Sequence, residues 1–281
     1  MNNSNLRILD KEDISAFSLF LQTDIFLHRH LDWRTPVEWL GFQPFWALEQ
    51  QMKIKALLAM PDDPPGVYWV RLFALDQSLD ALQTWTTLFE KCLKEISVRN
   101  THTIAALGYQ DWFKKLLHTL GWIEAQRVVL LKWHGSYPEI EDLAPGFLLR
   151  PLLNTDLDEV ARIDQVSFDP LWQQSGDATR RAYAQCSYAT VVEFENKVVG
   201  YQISTASSFN AHLARLAVYP DFRHKRIGRT IVQDMLQYFH QPWIHEITVN
   251  TQEDNFPSQK LYQSLGFQKT GESYPIFTFS R

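Results

Sequence analysis

Five of the eight residues from Arg223 to Thr230 (R-H-K-R-I-G-R-T) are Arg, Lys or His, in a chain of formal net charge −5. The stretch leads out of an apolar strand pattern and into an amphipathic helix pattern. A helix start leaves several backbone N–H groups without an intrahelical acceptor, and the helix dipole adds partial positive charge there. Such a turn takes up phosphate. Flanking cations strengthen it, and Gly228 lets the backbone come close. The residues therefore offer a pyrophosphate cradle made by the amides of His224, Lys225, Arg226, Ile227, Gly228, Arg229 and Thr230. Arg223, Lys225 and Arg229 add field. A solvated basic helix start is the alternative reading of the same stretch.

A second segment follows the strand pattern Glu246–Asn250: Asn255-Phe256-Pro257-Ser258, then Tyr262, then Gly266-Phe267. Together the two segments resemble the GNAT superfamily of acetyl-CoA-dependent acyltransferases. The family's phosphate loop reads [QR]-x-x-G-x-[GA]; Arg223 fills its first position, Gly228 its last, and Arg226 replaces the middle glycine. The family's N-x-x-[AS]-x-x-x-Y-x-x-x-G-F signature is present as Asn255, Ser258, Tyr262, Gly266 and Phe267. The resemblance covers roughly residues 147 to 281.

It implies acetyl transfer from acetyl-CoA to a primary amine by direct attack, with no metal. Asn255, with Ser258 in the same motif, would hold the pantetheine arm. Backbone amides of Leu216, Ala217 and Val218, on the strand Leu213–Tyr219, would polarise the thioester carbonyl, a contribution of a few kcal/mol in a dry site. Tyr262 would protonate the departing thiolate, for which a phenol of pKa about 10 is suited; the alternative is a buried aromatic whose hydroxyl caps a backbone group. The base is open among His212, Glu246 on the adjacent strand, and a water chain. The strand Ala211–Val218 is similar to the corresponding strand of serotonin N-acetyltransferase, keeping the first of its two histidines, with Arg215 read on the other face. At Arg226 a positive φ would be strained; a negative φ, leaving its N–H aimed at the ligand, is the expected case.

Asp164-Gln165-Val166-Ser167-Phe168-Asp169-Pro170-Leu171-Trp172 resembles the segment bordering the acceptor groove in ribosomal-protein alanine acetyltransferases. The acceptor is thus a peptide N-terminus or a small-molecule amine. An acetyl-CoA-binding sensor without turnover, or an interaction protein on the same scaffold, is the alternative function.

The elements that must position these groups occur twice. Leu6-Arg7 matches Leu149-Arg150, Lys53–Ala56 matches Lys197–Gly200, Arg71–Ala74 matches Arg215–Val218, and Leu116–Trp122 matches Leu261–Phe267, all at offsets of 143 to 145 residues. A near-constant offset reads as a duplicated domain, a layout similar to mycothiol synthase. Each half predicts strand, helix, two strands, strand, helix, strand, helix, strand: an α/β (α+β) fold with a central mixed, mostly antiparallel sheet flanked by helices. The expected boundaries are 1–134, a linker at 135–146, and 147–281. The first copy has lost the chemistry. Opposite the loop it has Leu79–Thr86 with Asp76 and Asp80 and no glycine, and opposite Tyr262 it has Leu117.

With 281 residues, 45% hydrophobic and 21% charged, the chain reads as two soluble domains. Residues 1–145 carry 14 Lys/Arg against 18 Asp/Glu, and eight of the ten tryptophans lie there, which suit a core and an interface or else an acceptor pocket. The acidic balance argues against nucleic acid as a general partner. No apolar run approaches a membrane span, the N-terminus shows no signal-peptide pattern, and Cys92 and Cys186 offer no disulfide framework. The cytoplasm is the expected compartment, as monomer or homodimer.

Overall fold

The computed structural model describes residues 4–96 and 103–280. The chain divides into two compact units, Met1–Ala125 with Tyr274–Arg281, and Gln126–Ser273. Both are mixed α/β, as expected.

The first unit runs β1 (Ser4–Ile8), α1 (Ile14–Phe20), β2 (Ile25–Arg29), β3 (Phe45–Gln50), β4 (Lys53–Ala59), β5 (Val67–Trp69), β6 (Leu72–Asp76), α2 (Ala81–Ile96), β7 (Thr103–Leu107) and α3 (Asp111–Thr119). Five strands form an antiparallel sheet in the order β1-β3-β4-β6-β2. β5 pairs in parallel with β7. Then β8 (Ile123–Trp133) leads into the second unit, which continues with β9 (Phe147–Pro151), α4 (Leu157–Ser167), α5 (Gly176–Gln185), β10 (Tyr188–Phe194), β11 (Lys197–Ala206), β12 (Asn210–Val218), α6 (Ile227–Tyr238), β13 (Glu246–Gln252), α7 (Phe256–Ser264) and β14 (Phe267–Phe279). Its strands lie in the order β8-β13-β12-β11-β10-β9. Only β12 and β13 pair in parallel there, joined by a crossover through α6.

The boundaries differ from 134 and 147. Val128–Lys132 pair with Thr248–Gln252 of β13, so β8 serves the second unit. β14 begins in the second unit and ends in the first, where Ile276–Phe279 pair with Leu107–Ile104 of β7. Apolar alternation marks a strand but does not say which edge it joins.

The duplication is visible in side chains. Arg7 holds Asp13 at 2.7 Å and Glu49 at 2.8 Å; Arg150 holds Asp156 at 2.7 Å and Glu193 at 2.7 Å. The hairpin turns after β3 and β10 carry positive φ at Gln51 and Met52 and at Glu195 and Asn196. Two departures separate the copies. The first-unit counterpart of β12 is broken into β5 and β6, and the first unit has an unforeseen strand, β2, after its first helix.

Both cores are apolar layers beneath their helices. In the first, Phe73, Trp85 and Phe113 are fully buried and Trp39, Trp69 and Trp122 nearly so, so these tryptophans fill the interior. In the second, α6 and α7 cover one face of the sheet through Val232, Met235, Leu236 and Tyr262 over Ala211, Leu213 and Val249.

Candidate active site

The site forms where β12 and β13 part. Their pairing runs from Asn210 opposite Glu246 to Leu213 opposite Val249 and stops. β12 continues to Val218 paired only with β11. Its far edge from Ala214 onward therefore has no strand against it. Tyr219 N–H donates to Val199 of β11 at 2.8 Å. Alternation then directs Ala217 at β11 and leaves Leu216 and Val218 aimed at the open edge. Of the three amides expected to polarise a carbonyl, Leu216 and Val218 face the groove and Ala217 does not.

A β-bulge re-aims the neighbouring side chains. The β11 register skips Ala214, passing from Leu213 opposite Ser204 to Arg215 opposite Ile203. Strict alternation would set Arg215 on the face opposite His212. The extra residue returns it to the His212 face, the side covered by α4, which corrects the sequence reading. There Arg215 donates to both oxygens of Asp164 at 2.6 and 2.9 Å and to the Trp172 carbonyl at 2.6 Å. Asp164 is fully buried and also accepts Tyr201 O–H at 2.6 Å and Gln174 N–H at 2.8 Å. The pair ties the segment Asp164–Gln174 to the strand carrying the free amides. Removing one partner of such a buried pair costs about 3–5 kcal/mol.

At the head of α6 the loop is more strained than expected. His224 has φ 62° and Arg226 φ 64°. Arg226 thus adopts the left-handed conformation that a glycine takes without cost, at roughly 1–2 kcal/mol, and the expectation of negative φ there is overturned. The first-turn amides of Ile227, Gly228 and Arg229 have no intrahelical acceptor. Thr230 leaves the cradle: its N–H donates to the Arg226 carbonyl at 3.0 Å. Gly200 lets α6 lie close, since a Cβ there would meet Ile227 Cγ2 at 3.1 Å.

The cations are partly engaged. Arg223 donates to the carbonyls of Val218 at 3.3 Å and Ser167 at 3.4 Å. Lys225 Nζ lies 5.0 Å over the Phe222 ring. Arg229 donates to Glu141 at 2.6 Å and Arg226 to the same carboxylate at 3.2 Å. Glu141, in the expected linker, is held further: its N–H donates to Gln233 Oε1 at 3.1 Å and its carbonyl accepts Thr230 O–H at 3.3 Å. Arg229 keeps the Glu141 carboxyl below the usual range. Sequence reading missed this residue.

Tyr262 is 5% exposed, and its hydroxyl caps no backbone group among the described residues. Burial pushes its phenol up, against the opposing pull of the Arg215 charge. It therefore stays protonated through the physiological range, as a proton donor must.

His212 stands directly opposite Thr248 in the parallel register, with Nδ1 2.8 Å from Thr248 Oγ1. The Thr248 hydroxyl donates to the Ala211 carbonyl at 3.4 Å, so its oxygen receives Nδ1–H and the Nε2 lone pair is left free. Burial pushes the imidazole below its ordinary value. Glu246 opens the pairing opposite Asn210, three residues before its last member Val249, and is ion-paired to Lys132 at 2.5 Å. Asn255 caps α7: its Oδ1 accepts Ser258 N–H at 3.2 Å and its Nδ2 donates to Gln252 at 3.3 Å. Asn255 and Ser258 thus hold each other.

Among the described residues no group of three or more His, Cys, Asp or Glu is placed to hold a metal, and no helix is long and apolar enough to cross a membrane.

Residues 157–267 match the acetyltransferase (GNAT) family model. Human N-acetyltransferase 8B is 31% identical over 105 residues, 35% of this chain and 46% of that protein. A Bacillus subtilis protein assigned as a bS18-alanine N-acetyltransferase is 22% identical over 116 residues, 41% of this chain and 77% of its own. The chain spans about half the length of the vertebrate relatives it matches, 46% and 54%. In fold, a tandem GNAT protein from the clavulanic acid biosynthesis pathway superimposes with TM-score 0.64 at 14% identity, covering 99% of this chain and 98% of its own. A GCN5-related N-acetyltransferase from Sphaerobacter thermophilus does so with TM-score 0.60 at 11% identity, covering 98% and 95%. Residues 157–267 are thus similar to the GNAT family. The whole chain has the fold of a tandem GNAT protein.

Proposed function

We propose that the second unit transfers an acetyl group from acetyl-CoA to a primary amine, on a small molecule or a peptide N-terminus. One observation carries the reading: the Tyr262 hydroxyl, protonated and bonded to no described residue, lies in a helix packed over the strand whose open edge presents Leu216 and Val218. The pyrophosphate would meet the amides at the head of α6, with Arg223 and Lys225 nearby. The amine nitrogen attacks the thioester carbonyl carbon. The oxygen gathers charge and is met by the Leu216 and Val218 amides, a donor set already in place. The C–S bond breaks and the thiolate takes the Tyr262 proton. The amine's proton passes to His212 Nε2, directly or through water. Glu246, held by Lys132, is the weaker candidate for base.

The first unit takes no part in this chemistry, so one acetyl-CoA is bound per chain. Two free thiols, Cys92 and Cys186, suit the cytoplasm, where acetyl-CoA is supplied. The test is a screen of primary amines and N-terminal peptides with free-thiol detection, run beside titration calorimetry. Acceptor-dependent thiol release with a stoichiometry near one supports the reading. Tight binding without release from any amine class would make the protein a sensor instead, and a stoichiometry of two would restore the first unit as a site.

A further inference from the structure

In the first unit the groove that stands open in the second is filled by the chain itself. At the offset that matches Arg71 with Arg215, the run from β5 through Val70 and Arg71 to β6 corresponds to β12. Its parallel pairing with β7 ends at Trp69 opposite Ala105, followed by Val70 N–H donating to Ala105. The two strands part there as β12 and β13 do. Beyond that point β12 has an open edge and β6 does not: β2 pairs along it, from Ile25 opposite Asp76 to Arg29 opposite Leu72.

β2 also reaches the helix. His28 is fully buried and stacks on Phe113 of α3 at 3.9 Å. Its ring nitrogens lie 3.1 Å from Gln110 Oε1 and 3.2 Å from the Val70 carbonyl oxygen. Phe26 packs 5.5 Å from Trp112 of α3. α3 is the counterpart of α7, with Leu117 where Tyr262 stands. β2 therefore lies between the strand and the helix that flank the candidate site in the second unit. The phosphate end is taken as well. The Asp80 carboxylate accepts Gln83 N–H at 2.7 Å at the start of α2, where the dipole favours an anion.

We propose that the first unit is internally liganded: β2 occupies its acyl-carrier groove as a peptide, and Asp80 occupies its phosphate end as a carboxylate. The assignment of groove and phosphate end rests on the function proposed for the second unit. An open strand edge must pair its N–H and C=O groups with something. An extended amide-bearing arm does so transiently, at the cost of association. A strand of the same chain does so permanently. The first unit is on this account a closed scaffold that needs no nucleotide, rather than an enzyme lacking only its glycine loop.

Hydrogen–deuterium exchange of the full chain, with and without acetyl-CoA, tests this. Residues 72–76 should exchange at least ten-fold more slowly than 214–218 in the free protein and should not respond to acetyl-CoA. Phe26→Pro, which removes a ladder donor from β2, should speed exchange at 72–76 while 54–59 stays slow. Exchange at 72–76 as fast as at 214–218, or slowed by acetyl-CoA, overturns the proposal; if Phe26→Pro unfolds the unit, the native comparison decides alone. Slowing of 214–218 by acetyl-CoA is read separately. Its absence would refute the function proposed for the second unit while protection at 72–76 still showed the plugged edge.

Discussion

Glu141 receives Arg229 at 2.6 Å and Arg226 at 3.2 Å, so a carboxylate from the segment joining the two copies lies on two cations at the head of α6. A diphosphate approaching that helix start meets Arg223 and Lys225, which pair with no carboxylate among the described residues, and Arg226 and Arg229 sharing one carboxylate that cancels one of their two charges. Glu141→Gln should tighten acetyl-CoA binding several-fold and steepen its salt dependence, since exposed charges act within a Debye length of about 8–10 Å. Calorimetry at two ionic strengths measures both. Unchanged affinity would show that Glu141 fastens its segment without touching the ligand's field.

Tyr262→Phe should lower kcat ten-fold or more, about 1.4 kcal/mol of transition-state stabilisation. Acetyl-CoA affinity and thermal stability should hold, because the lost hydroxyl bonds no described residue. Steady-state kinetics with a calorimetric check separate the two; unchanged turnover would remove the phenol from the reaction.

The imidazole of His212 must be neutral to accept a proton, so activity falls as pH drops through its pKa. Burial lowers that pKa, and the acidic limb of kcat/KM should therefore lie below the ordinary histidine value of about 6.5. His212→Ala should lower kcat/KM and abolish that limb. Thr248→Val, which frees Nδ1, should weaken it, and Thr248→Ser should restore it. If Glu246→Gln shifts the limb and the His212 change does not, the base is Glu246.

Arg226→Gly should stabilise the protein by about 1 kcal/mol, because glycine takes φ 64° without the steric cost an arginine bears there. A urea melt of each protein reads this. Acetyl-CoA affinity should be kept or improved, since the Arg226 side chain is spent on Glu141. Weaker binding would mean that the guanidinium reaches phosphate despite that contact.

The order of elements in the second half was legible because its periodicities and turn residues agree with one another. So was the neighbourhood of Tyr262, fixed by helix spacing. What escaped depends on relations a linear pattern does not carry. The skipped Ala214 turns Arg215 onto the His212 face, and alternation cannot show a bulge. The sign of φ at Arg226 is set by the turn into α6, against the preference of the residue. Thr248 was within reach: sliding the β13 pattern in parallel along β12 sets it opposite His212. Glu141 was passed over because its segment lacks periodicity, although carboxylates near a basic helix start are an electrostatic match. β2 was missed because Ile25–Arg29 is short and the second copy has no strand between its first helix and the β10–β11 hairpin to match it.

The crossing of β14 has a consequence for biosynthesis. Chains are made from the N-terminus and domains ordinarily fold in that order. Here Ile276–Phe279 complete the pairing of β7, so the first-made of these two units stays unfinished until residues that follow the second unit have left the ribosome. A stop codon after Ser273 would spare every candidate catalytic residue and still leave β7 with a bare edge. Such a nascent chain has an exposed strand to protect while the whole second unit is made, and a truncation far from the chemistry would be read by the cell as a folding defect.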